Sequence, residues 1–129
     1  VTFVRATMIG LGVVVANAAQ ADTQSIQRGD VLIHNRQQSL CILCHKAPGA
    51  QPGNIGDLAP DLSNIGQRMS RDDIRRHIIA PEQFNPETIM PSFARTKGLR
   101  KVAPGFAGQP ILTMNQIDDI SDYLAAQHD

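Results

Sequence analysis

Two stretches of this chain, residues 47–66 and 82–112, are interrupted so often that neither can hold a long regular element. The first carries Pro48, Gly49, Pro52, Gly53, Gly56 and Pro60, and the second Pro86, Pro91, Pro104 and Pro110. Proline fixes φ and removes a backbone donor, and glycine admits turns that other residues resist. What remains between them is helical. Residues 24–38, "QSIQRGDVLIHNRQQ", place Ile26, Gly29 and Ile33 at helical spacing, which predicts a helix ending just before Cys41. Ser70 opens "SRDDIRRHIIAP" with Asp73 three residues on, a capping-box pattern, and Pro81 stops the segment. Thr113 and Gln116 repeat the pattern ahead of "MNQIDDISDYLAAQ". There Ile117, Ile120 and Leu124 form one apolar stripe.

No stretch alternates at period two, so the expected class is all-α: one domain of three or more helices joined by long Pro/Gly loops. Loops of that length are uncommon in a compact domain unless something else organises them. A buried planar cofactor would supply the missing core.

The beginning of the chain has a different character. Arg5 precedes the uncharged run "ATMIGLGVVVANAAQA", which ends in the small-residue pattern Ala19-Gln20-Ala21. This reads as a secretory leader over residues 1–21, cleaved after Ala21, with the functional domain at 22–129. Its strongly apolar part, residues 8–16, is shorter than the roughly 20 residues a membrane span needs, so no stable span is expected. Such a leader implies export from the cytoplasm. Over the full chain 12 basic side chains balance 12 acidic ones, which excludes the basic excess of a nucleic-acid binder.

Cys41 and Cys44, the only cysteines, lie in "CILCH" with His45 directly after. An exported protein can form disulfides, but a bridge across two residues closes a tiny loop and restrains little unfolded-chain entropy. Zinc would need two more ligands, and the other histidines, His34, His77 and His128, are scattered. A thioredoxin-like couple belongs to a βαβ setting that this chain lacks. Covalent haem needs two thiols spaced for two vinyl groups and an imidazole for the iron, and Cys-x-x-Cys-His meets both needs. We therefore expect one haem c, with Cys41 and Cys44 as covalent attachments and His45 as axial ligand. For the opposite face of the iron the candidates are Met69, Met90, Met114 and the remaining histidines. Met69 precedes the Ser70 cap, where an apolar staple is ordinary. Met114 starts a helix and is expected to pack, and His77 reads as a partly exposed surface residue. Met90 differs because Pro91 holds it out of helical geometry.

With these features the chain resembles the class I cytochromes c: "CILCH" after an N-terminal helix, a methionine before Pro91, and a closing amphipathic helix. In that family the first and last helices cross closely, and Gly29 and Tyr123 match the small and aromatic positions of the crossing. The element "APDL", residues 59–62, matches the family's Gly-Pro-x-Leu. That match implies a Pro60 carbonyl accepting the N–H of the ligand histidine. Over residues 40–125 the strings "GNIGDLAPDLSNIGQR", "NPETIMPSFARTKGLRKVAP" and "FAGQPILTMNQIDDISDYLA" are similar to the SoxX family. These are monohaem subunits of the SoxAX complexes of periplasmic thiosulfate oxidation.

That resemblance implies Met90 as the distal ligand and His45 as the proximal one. It also implies a heterodimer with a SoxA-type cytochrome subunit and transient contact with the SoxYZ carrier and a soluble acceptor cytochrome. The complex would be an L-cysteine S-thiosulfotransferase, with catalysis on SoxA and electron transfer on this chain. A free-standing periplasmic electron carrier is the alternative. The segment 94–101 carries Arg95, Lys97, Arg100 and Lys101 with no acid among them, and reads either as a steering surface for an acidic partner or as a solvated loop.

Overall fold

The computed structural model describes the backbone of residues 14–53 and 55–128, and the side chains from residue 23 onward within those segments. The expected leader therefore lies outside the described residues over 1–13 and is seen only as backbone beyond them. Four α-helices follow in chain order: α1 (Val14–Ile33), α2 (Ile65–Arg68), α3 (Arg71–Ile79) and α4 (Met114–Ala125). Single 3-10 turns occupy Cys41–Leu43, Pro81–Gln83 and Pro104–Phe106, and no strand occurs among the described residues. None of the described helices is long and apolar enough to cross a membrane.

Helix α4 is capped as its sequence dictates. Thr113 Oγ1 accepts from the Gln116 backbone N–H at 3.3 Å, and Gln116 Oε1 accepts from the Thr113 N–H at 2.9 Å. Its stripe of Ile117, Ile120 and Leu124 is buried. Ser70 Oγ likewise caps α3 by accepting from the Asp73 N–H at 3.1 Å, and the helix ends at Ile79 ahead of Pro81.

Helix α1 ends at Ile33, short of the predicted run to the cysteine motif. Local hydrogen bonding explains the difference. Asn35 Oδ1 accepts from the backbone N–H groups of Gln37 (2.9 Å) and Gln38 (3.0 Å). Its carbonyl accepts from Ser39 and Leu40 at 3.2 Å each. The fully buried Ser39 donates its hydroxyl to the Leu32 carbonyl at 2.5 Å. Side chains of this kind offer the backbone an alternative to another helical turn.

The first and last helices meet backbone to backbone. A Cβ on Gly29 would lie 2.1 Å from the Asp119 carbonyl oxygen and 2.6 Å from Tyr123 Cβ, so only glycine permits this approach. Arg28 clamps the crossing with two bonds to Asp119, at 2.8 and 2.7 Å. Gly66 brings α2 equally close to the end of α4, where a Cβ would sit 2.4 Å from the Ala125 carbonyl oxygen. Arg71 and Arg75 tie α3 to Asp122 and Asp118 of α4 at 2.6 and 2.5 Å. The core enclosed by these contacts includes Ile33, Ile42, Ile74, Ile78, Phe93, Leu112 and the α4 stripe.

Candidate functional site

The cysteine motif begins where the chain reverses. Leu40 takes a left-handed conformation (φ 63°), unusual for a non-glycine residue, and turns the chain into the 3-10 turn Cys41–Leu43. The Cys41 carbonyl then accepts from both Cys44 (3.2 Å) and His45 (2.9 Å), winding the motif into one compact turn. Ile42 points into the core, and the two free thiols lie half-buried on either side of it in sequence. Burial pushes the Cys41 thiol up from its ordinary value, against the opposing effect of its hydrogen bond to the Ser39 carbonyl at 3.6 Å.

His45 is held from across the loop. Its Nδ1 lies 2.7 Å from the Pro60 carbonyl oxygen, an atom that can only accept, so the proton sits on Nδ1 and the Nε2 lone pair is left to bind. Pro60 is positioned by a series of backbone bonds that lace residues 56–62 onto the motif. Gly56 N–H donates to the Ile42 carbonyl (3.0 Å), Ala59 to Cys44 (2.9 Å) and Leu62 to Lys46 (2.9 Å). The first of these requires glycine, since a Cβ on Gly56 would lie 2.5 Å from the Leu43 carbonyl oxygen. Outside the lacing, Lys46 Nζ meets Asp61 Oδ2 at 2.7 Å, while Ser63 donates to the other Asp61 oxygen at 2.8 Å from its N–H and 2.6 Å from its hydroxyl. Lys46 first, and then Ser63, hold the Asp61 carboxyl well below the usual carboxylate range.

Gly56, Asn35 and Ser39 thus build the site although sequence reasoning assigned them no role. Gly56 was one of many breakers in its loop, and only the proximity of Leu43 and Cys44 sets it apart.

Met90 lies in the loop after α3, half-buried against the same hydrophobic cluster that Cys41 flanks. Its backbone N–H is bonded to Thr88 Oγ1 at 3.2 Å. Met69 also packs on that cluster, between α2 and α3. Met114, expected to pack, is instead 43% exposed because it occupies the outward side of the first turn of α4. His77 donates from Nδ1 to the Asp73 carbonyl at 2.8 Å and stacks on Phe84 with centroids 3.7 Å apart. In the basic segment, Arg95 is paired with Glu82, whereas Lys97, Arg100 and Lys101 are exposed.

The donor set is selective. No group of three or more His, Cys, Asp or Glu side chains among the described residues could hold a metal ion, which leaves the zinc reading without ligands. Two thiols on one turn beside an imidazole with a fixed Nδ1 proton fit the covalently attached haem expected from the motif. A cleft of about 610 Å³ lined by Arg71, Asp72, Arg75, Arg76 and Asp118 offers no comparable chemistry, because its charges already pair with one another or with neighbours.

Neither a protein-family model nor a curated protein sequence matches the chain. Among solved structures it is similar to a chain in the crystal structure of SoxXA from P. pantotrophus. The TM-score is 0.69 and the identity 26%, over 80% of this chain and 81% of that one. The fold is that of a class I cytochrome c. Within it, the crossing of α1 and α4 at Gly29 and Tyr123 braces the two ends of the domain, and the cysteine motif is the next element after α1, reached through the Asn35–Leu40 turn.

Proposed function

We propose that this chain is the monohaem electron-transfer subunit of a SoxAX-type complex, exported to the periplasm and paired with a SoxA-type cytochrome subunit. The observation that carries the reading is the His45–Pro60 hydrogen bond beside the Cys41/Cys44 pair, in a chain similar to one of SoxXA. The two matched chains are also of similar length, since the alignment covers nearly the same share of each.

In this reading Cys41 and Cys44 would hold the haem covalently, and His45, its ring oriented by the Pro60 carbonyl, would offer Nε2 to the iron. Met90 would join His45 in holding the haem, and its soft thioether would favour the ferrous state. The bound haem supplies one-electron transfer. Oxidative coupling of thiosulfate to a cysteine of the SoxYZ carrier takes place on the partner, because this chain has no cysteine beyond the haem pair to hold a sulfur intermediate. The chain accepts the electrons released and passes them to a soluble cytochrome.

The test is to isolate the polypeptide from its native periplasm under gentle conditions and count chains and haems by intact mass. A one-to-one assembly with a second, cysteine-bearing cytochrome, and a mass for this chain that includes one haem, is the expected result. A haem-bearing monomer with no partner would leave a free-standing electron carrier in its place.

A further inference from the structure

Residues 94–111 leave and rejoin the core through one neck. Phe93 N–H donates to the Ile78 carbonyl at 3.2 Å, Leu112 N–H donates to the Phe93 carbonyl at 3.1 Å, and both Phe93 and Leu112 are buried. Beyond the neck every residue from 95 to 111 is exposed. Such a loop is ordinarily polar, because nothing in the fold shelters its side chains. Here it carries Leu99, Val102, Phe106 and Ile111, with Phe106 at 69% exposure.

The loop is also built. Pro104 opens the 3-10 turn Pro104–Phe106, in which the Phe106 N–H donates to the Ala103 carbonyl at 2.9 Å. Gln109 closes the turn from both its backbone, to the Phe106 carbonyl at 3.1 Å, and its side chain, to the Gly105 carbonyl at 3.3 Å. An aromatic held outward on a bonded turn has already given up much of the freedom that binding would otherwise remove.

Charge narrows what it would meet. No Asp or Glu occurs anywhere from residue 88 to residue 117. Arg95 is satisfied by Glu82, but Lys97, Arg100 and Lys101 form no ion pair among the described residues. Three uncompensated cations thus share one exposed loop with an apolar projection, on a chain whose overall charge balances.

We propose that this loop is a docking surface for an acidic protein partner, with Phe106 as the aromatic anchor seated in an apolar pocket of that partner and Lys97, Arg100 and Lys101 as its charged rim. The inference rests on the assembly proposed above, in which that partner is the SoxA-type subunit. Central aromatic anchors carry a disproportionate share of binding energy, whereas rim charges govern association rate and salt dependence.

The experiment measures binding of the haem-loaded mature chain to its SoxA-type subunit at low and high salt. It compares the wild type, Phe106→Ala, and a triple variant with Lys97, Arg100 and Lys101 each changed to Gln. Phe106→Ala is expected to weaken affinity at least about tenfold at either salt. The triple variant is expected to slow association at low salt and flatten its salt dependence. Wild-type binding with both variants unaffected would overturn the docking surface while leaving the SoxAX reading intact. Failure of the wild type itself to bind would overturn that reading and this inference with it. Two further results would also overturn the proposal. One is an altered haem spectrum in Phe106→Ala with unchanged affinity, which would make Phe106 a wall of the haem site. The other is loss of binding to vesicles containing anionic phospholipid, with SoxA binding unchanged, which would make the loop a lipid contact.

Discussion

His45 depends on a carbonyl 15 residues away for its orientation, and Met90 on the proline that follows it. The two make different predictions. With Met90 as the proposed second ligand, Met90→Ala would remove a soft donor without touching the His45–Pro60 bond, so the reduction potential should fall and the optical signature of thioether ligation should disappear from the ferric haem. If potential and spectrum stay unchanged, Met69 becomes the first alternative, since it packs on the same cluster. Tyr123 makes a pH prediction. Its hydroxyl donates to the Pro48 carbonyl at 3.3 Å, tying α4 to the loop after the motif. Burial first, and then the carboxylate of Asp30, push its pKa from 10.0 up to about 12. The folded state therefore favours the neutral phenol. The associated stability is fully present below the ordinary tyrosine pKa and is lost as pH rises through the folded value. Denaturant unfolding followed across that alkaline range should show this loss in the wild type. Tyr123→Phe should lack that component while being about 1 kcal/mol less stable at neutral pH.

At the scale of elements, the crossing of α1 and α4 gives the sharpest stability prediction. Gly29→Ala would ordinarily gain helix propensity, but the new Cβ meets a backbone carbonyl at 2.1 Å that cannot rotate away. The helices must separate, with loss of the Arg28–Asp119 clamp, and about 3 kcal/mol of stability should go with it. Gly105→Ala is the control: nothing lies within 4 Å of its Cβ, so thermal unfolding should stay within about 0.5 kcal/mol of wild type. Helices α3 and α4 were legible in the sequence because their caps and stripes are local: Thr113 with Gln116, Ile117, Ile120 and Leu124 at helical spacing, and Ser70 with Asp73. At the last of these Ser70 Oγ accepts from the Asp73 N–H, but the Asp73 carboxylate takes the Ser70 hydroxyl instead of completing the box. Gly29 and Tyr123 were legible through the family resemblance. The end of α1 was not, because Asn35 and Ser39 compete with the helix through hydrogen bonds whose outcome periodicity does not register. Nor was the close approach of Gly56, or the pairing of Arg28 with Asp119, 91 residues away. Such partners exist only once the chain has folded.

Over the whole molecule, burial is unevenly shared. The four helices and the neck at Phe93 and Leu112 supply most of the buried apolar side chains. By contrast, no described residue from 48 to 64 is buried, nor is any from 95 to 111. Leu43, Leu58, Phe84 and Ile89 are exposed as well. Conformational entropy opposes ordering such long connections, and the backbone bonds that lace residues 56–62 to the cysteine motif offset it only in part. In the proposed holoprotein the haem is the body against which these loops settle, much as a structural metal completes a small domain. The helical scaffold and the loops should then respond differently to its loss. A double variant, Cys41→Ala with Cys44→Ala, should retain most of its far-ultraviolet helical signal, because α1, α3 and α4 keep their caps, ion pairs and mutual packing. It should lose the cooperative thermal transition and the near-ultraviolet signal that report fixed tertiary packing, and should bind a hydrophobic dye. A cooperative transition at the wild-type temperature would mean that the loops are ordered by their own hydrogen bonds. The haem would then be a passenger on a finished fold.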